Sequence, residues 1–109
     1  MAEEKMKAMF IVVNAGFAEN VLEVAREAGV VGATILNVRG EGVHRESILG
    51  ITVDTEKEMI LSIVSESTAD KAMRTIKEKA GIKTPAHSFC FTMPVDEIVG
   101  IGAPPQPPR

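Results

Sequence analysis

The chain repeats itself: Ile11-Val12 through Gly29-Val30 matches Ile63-Val64 through Gly81-Ile82 at a constant spacing of 52 residues (29 to 81). Both copies have the order strand, helix, glycine stop. In the first, the apolar, β-branched run from Met9 to Val13 leads to Val21, Leu22, Val24, Ala25 and Ala28 at helical spacing, and Gly29 can adopt the left-handed conformation that ends a helix. In the second, the run from Met59 to Val64 leads to Ser67, placed to cap a helix with Asp70 three residues on. Ala69, Ala72, Met73, Ile76 and Ala80 then form an apolar stripe that Gly81 ends.

A further strand-like run follows each helix, Ala33 to Val38 and Ser88 to Met93. In the second run Phe89, Phe91 and Met93 alternate with Cys90 and Thr92, the period of a half-buried strand. Two βαβ units give the order βαββαβ. The fold class is therefore α+β, ferredoxin-like, a four-stranded antiparallel sheet with both helices on one face. Between the halves, Arg39-Gly40-Glu41-Gly42-Val43-His44-Arg45-Glu46-Ser47 is polar and glycine-flanked, as a mobile surface loop would be. Residues 48–53 are read as an extra short edge strand. Residues 1–102 are assigned to one domain, and residues 103–109, with four prolines, to a C-terminal tail.

Composition narrows the function classes. A length of 109 residues, 45% apolar and 25% charged, describes one modest core, and oligomerisation is a natural extra source of burial at this size. A net charge of −3 with scattered basic residues leaves no electrostatic footprint for nucleic acid or anionic lipid. The only aromatics are four Phe, and they sit in apolar runs, which reads as core rather than as a base-stacking platform. The acidic start and short apolar runs predict a cytoplasmic protein without membrane insertion. A single cysteine, Cys90, has no thiol or histidine at metal-ligand spacing and reads as a buried strand residue. No nucleophile stands at a spacing that pairs it with a base, so no catalytic residue is assigned and an enzyme is not expected.

The stretch Glu27-Ala28-Gly29-Val30-Val31-Gly32-Ala33-Thr34-Ile35-Leu36-Asn37-Val38-Arg39-Gly40-Glu41-Gly42 resembles the PII signal-transduction family over the end of its first helix, its second strand and the start of its T-loop. Lys79-Ala80-Gly81-Ile82 and the Phe89-Cys90-Phe91 strand agree with the second half of that family. The resemblance, which runs from about Met6 to Ile101, implies a non-enzymatic regulator. It further implies a homotrimer with adenine nucleotide (AMP, ADP or ATP) in the clefts between subunits, and T-loops that act on a membrane transporter or an enzyme. Gly32 and Thr34 match residues that lie against adenine. Gly40 and Gly42 match the family's two glycines at the start of the T-loop and are counted with the ligand site; at Gly42 a backbone N–H faces phosphate, and a close approach favours glycine. Glu41, Val43, His44, Arg45, Glu46 and Ser47 match the partner-contacting loop.

The departures fall on phosphate-binding positions. His87 stands where the family has a lysine, and Gly100 and Gly102 align with two family arginines. Charge-assisted hydrogen bonds to phosphate contribute roughly 1.5–3 kcal/mol each, so losing two weakens such a site by about a hundredfold or more. That leaves a site that reads fewer phosphates, a different anion, or none. Lys83, Arg39 and Arg45 are the replacement cations in reach by sequence. The loop is shorter than the family's usual one and the chain has no tyrosine, which excludes uridylylation of a T-loop tyrosine.

Two alternatives stay open. Ala15-Gly16-Phe17, between the first strand and helix, is loosely similar to the ligand turn of ACT-type amino-acid sensors. A CutA-like structural or metal-tolerance trimer shares the fold class. His44 with Glu41 and Glu46 has suitable residue types for a metal, but reads as a solvated charge cluster, and no metal site is assigned.

Overall fold

The computed structural model describes residues 5–39, 46–48, 51–53 and 56–99, with backbone alone for 46–48 and 51–53. Strand β1 (Met6–Asn14) leads to helix α1 (Ala18–Glu27), then β2 (Thr34–Arg39), β3 (Glu46–Ile48), β4 (Ile51–Val53), β5 (Glu56–Ser65), helix α2 (Glu66–Ala80) and β6 (Phe89–Pro94). The main sheet is antiparallel in the order β2-β5-β1-β6, and both helices lie on one face, the ferredoxin-like arrangement. Of residues 48–53, expected as an extra edge strand, the described ones, Ile48 and Ile51–Val53, fall in β3 and β4, which among the described residues pair with each other and not with this sheet.

The core lies between the helices and the two central strands. Met9, Ile11 and Val13 of β1 and Ile60 and Val64 of β5 meet Ala18, Val21, Leu22 and Ala25 of α1 and Ala69, Ala72, Ile76 and Ala80 of α2, all buried. The expected apolar stripes are therefore the packed ones, with Val24 and Met73 at the margin. Three of the four buried residues of α2 are alanines, so its inward face is made of small side chains. Two polar side chains are buried among the described residues: Ser62, whose Oγ donates to the Gly32 carbonyl at 2.5 Å, and Ser88, whose Oγ donates to the Ala80 carbonyl.

Three further sequence expectations change. The helix cap is Ser65, not Ser67: β5 runs on to Ser65, whose Oγ accepts the Thr68 N–H at 3.3 Å, so Ser67 falls inside the first turn. The spacing of 52 holds at the glycine stops but not in the elements, because Val12 faces away from the helices while Val64 faces them. The elements correspond at 51, as in Val13 with Val64, Val21 with Ala72 and Ala25 with Ile76. A one-residue slip moves every strand side chain to the other face, so burial decides between the two spacings. At the stops themselves, Gly29 takes φ +108 as expected, whereas Gly81 ends α2 in an extended conformation.

The third change concerns the phenylalanines. Phe17 packs at the margin of the core, but Phe89 and Phe91 are 55% and 42% exposed and Met93 is 53% exposed. The alternation on β6 is real, with Cys90 turned to the helix side and half-buried against the core. Its aromatic side lies on the open face of the sheet, where Phe91 stacks on Phe10 at 4.9 Å between centroids and 15° between planes.

Candidate functional site

The sequence-chosen residues divide between the two edges of the sheet. Gly32 and Thr34 lie just before and at the start of β2, both exposed, on one edge strand. Lys83 and His87 lie in the turn between α2 and β6, beside the other edge. Two strands intervene, so β2 and β6 are separated by three strand spacings, roughly 14 Å. One chain does not bring the two groups together. Gly40, Glu41, Gly42, Val43, His44, Arg45, Gly100 and Gly102 lie outside the described residues, and Glu46 and Ser47 are placed by backbone only, on β3.

Gly32 has no protein atom within 4 Å of where a Cβ would stand, so crowding inside the chain does not require glycine there. That leaves room for a flat group from outside to approach the backbone next to the edge of β2. β2 is paired on one side only and is exposed along most of its length, with Ile35 and Leu36 on opposite faces.

The turn after α2 is held by its own bonds. Thr84 N and Oγ1 both donate to Gly81 O, His87 N donates to Thr84 O at 3.0 Å, and Ser88 N and Oγ donate to Ala80 O. His87 lies two residues before β6. It sits in the turn at φ +46, and its Nδ1 lies 2.9 Å from Ile82 O, which makes Nδ1 the protonated nitrogen and leaves Nε2 outward.

The third region was not legible in the sequence. An open cleft of about 520 Å³ lies where Ala15 and Gly16 meet the end of β2 at Asn37–Arg39 and the start of β5 at Glu56–Glu58. Glu58 Oε1 accepts from Gly16 N at 2.6 Å and from Ala18 N at 3.4 Å. It thereby caps α1, whose own N-cap Phe17 offers no side-chain acceptor, with negative charge at the positive helix end. Beside it, Lys57 Nζ donates to Asn14 Oδ1 at 2.5 Å, and Asn14 Nδ2 donates to Pro85 O at 3.0 Å. Separations of 40 to 71 residues hide these contacts from any local motif.

The turn similar to that of amino-acid sensors therefore has its Gly16 N–H already engaged by the chain's own carboxylate. Among the described residues no group of three or more His, Cys, Asp or Glu stands together to hold a metal, and no helix is long and apolar enough to cross a membrane. Burial pushes the Cys90 thiol pKa above its ordinary value.

Order, sheet topology and the one-sided helix layer define a ferredoxin-like domain of the PII type. The model of the nitrogen regulatory protein P-II family matches residues 6–103, and the chain belongs to that family, one of signal-transduction regulators. Among solved structures, GlnK of B. subtilis in complex with ATP is 22% identical over 84% of each chain, with a TM-score of 0.64. A PII-like signaling protein of Thermus thermophilus is 21% identical over 87% of this chain and 91% of its own, at 0.64. CPII of Thiomonas intermedia, bound to ADP, AMP and bicarbonate, is 18% identical over 88% and 96%, at 0.65. At these identities the likeness is one of fold. No curated protein matches the sequence.

Proposed function

We propose that this chain is a non-enzymatic, cytoplasmic regulator that assembles as a homotrimer, binds an adenine nucleotide in the clefts between subunits, and acts on a transporter or enzyme through the segment between β2 and β5. The domain spans residues 1–102, with 103–109 as a tail. The observation that carries this reading is the division of the candidate residues between opposite sheet edges: Gly32 and Thr34 at β2, Lys83 and His87 before β6. A ligand that touches both sets needs two copies of the chain, the β2 edge of one facing the 82–87 turn of the next.

Two further facts support it. The open sheet face carries Leu36, Phe89, Phe91 and Met93 in the exposed state, an apolar surface that a second copy would cover. Two of the similar structures hold adenine nucleotides, ATP in one and ADP with AMP in the other. Gly32 and Thr34 would lie against the base, while Gly40, Gly42, Lys83 and His87 would approach the phosphates. With histidine in place of lysine, AMP and ADP are expected to lose less affinity than ATP.

Isothermal titration with ATP, ADP, AMP and cyclic AMP tests this, with the assembly mass measured on the same sample. A trimer that binds one of them at micromolar strength supports the reading. A trimer silent to all four removes the nucleotide from it, and a monomer removes the shared cleft as well.

A further inference from the structure

Three consecutive residues at the start of β5 hold the turn between β1 and α1. Glu56 O accepts from Ala15 N at 3.2 Å, Lys57 Nζ donates to Asn14 Oδ1, and Glu58 Oε1 accepts from Gly16 N. Glu56 is the first residue of β5, directly after the segment that joins β2 to β5. Asn14 faces the other way as well. Its Nδ2 donates to Pro85 O and its backbone N donates to Ala86 O at 2.9 Å, inside the turn that carries Lys83 and His87.

The orientation of this amide follows from its partners. A lysine ammonium can only donate and a peptide carbonyl can only accept, so the amide oxygen must face Lys57 and the amide nitrogen Pro85. Because the group is planar, its two ends cannot move independently. A shift of Lys57 that draws the oxygen away turns the nitrogen off Pro85. The turn's remaining bonds are local to residues 80–88, so the Asn14 bonds are its described attachment to the end of β1.

We infer that Asn14 is a positioning residue that couples the start of β5 to the 82–87 turn within a single chain. The two segments that the proposed function assigns to partner and phosphate thus influence each other before any ligand or second copy is added. The coupling is reciprocal, as any free-energy coupling between two sites must be. It is tested on ligand-free protein, so its failure is separate from failure of the nucleotide reading.

The experiment is amide hydrogen exchange by NMR on the full chain, native and with Lys57→Met, Asn14→Asp and both. Asn14→Asp retains an acceptor for Lys57 and removes the donor to Pro85. Lys57→Met is expected to speed exchange at Asn14 and His87 by about fivefold, the worth of one net hydrogen bond. Core amides such as Ile11 and Ile60 should be unaffected. In the Asn14→Asp background the same substitution should add nothing, a non-additivity that a merely structural asparagine would not produce. Equal effects in both backgrounds, or no effect at His87 in the native one, overturn the inference. Should Asn14→Asp not fold, His87→Gly reads the link in reverse: an altered Asn14 side-chain resonance supports it and an unaltered one refutes it.

Discussion

Phe91→Glu places a charge in the middle of the open sheet face and tests whether copies of the chain cover that face. Phe91 is 42% exposed in the single chain. A phenylalanine offers about 200 Å² of surface, so roughly 85 Å² remains for a partner to bury, or about 2 kcal/mol per subunit at 25 cal/mol per Å². In the proposed trimer, three subunits would forfeit about 6 kcal/mol, a factor of about 10⁴ in the assembly equilibrium. Desolvation of the new carboxylates adds several kcal/mol more. Light scattering after gel filtration at micromolar concentration should give three times the 11.7 kDa chain mass for the native protein and a single-chain mass for the variant. Loss of the Phe10 stack costs the variant fold about 1 kcal/mol, so circular dichroism should still show a folded domain. Phe91→Leu should keep the native mass. An undiminished mass for Phe91→Glu would refute the argument that this face is an interface.

Ser65→Ala should lower stability to urea by about 1 kcal/mol while Ser67→Ala stays within about 0.5 kcal/mol, since only Ser65 accepts the Thr68 N–H; equal losses would contradict the observed cap. Glu58→Ala should cost about 1 kcal/mol in the same assay, because it strips the acceptor from Gly16 N and Ala18 N. An unchanged midpoint would show that water serves those donors as well. Cys90 in the folded chain should react slowly with iodoacetamide near neutral pH and accelerate on unfolding, because burial raises its pKa. The sign of the linkage follows: a raised folded pKa favours the folded state fully below the unfolded thiol value, and that contribution fades as pH rises through the folded value. Alkylation of the folded chain at the rate of a free thiol would count against that burial.

How much of this was legible beforehand depended on range. The helix stripes at Val21, Leu22 and Ala25 and at Ala69, Ala72 and Ile76 were readable because periodicity records which side of an element is buried. For a strand, period-two alternation marks two sides without saying which is covered. Phe89 and Phe91 therefore read as core in the sequence and lie, with Met93, on open surface. The capping serine was missed because Ser65 and Ser67 both precede the stripe, and only the length of β5 separates them. Asn14, Lys57 and Glu58 left no local trace at all. Their contacts exist because the β1–β5 register sets Asn14 opposite Lys57 and Val13 opposite Glu58. The assignment of Gly32 and Thr34 to an adenine rests on family resemblance alone, and what the structure adds is their place on one sheet edge.

The two halves also differ at one joint. Phe10 pairs with Leu61, and those residues are bonded outward to Phe91 and Thr34, so Thr34 and Phe91 are counterparts 57 residues apart while the central strands and helices correspond at 51. The six extra residues are shared out: α2 runs two residues past the counterpart of Glu27, β6 starts two residues before the counterpart of Thr34, and the turn that carries Lys83 and His87, residues 81–88, is two residues longer than residues 28–33. The counterpart connection in the first half, residues 28–33, carries no lysine or histidine. An effector recognised by Lys83 and His87 has one place to bind per chain, so titration should saturate at one equivalent.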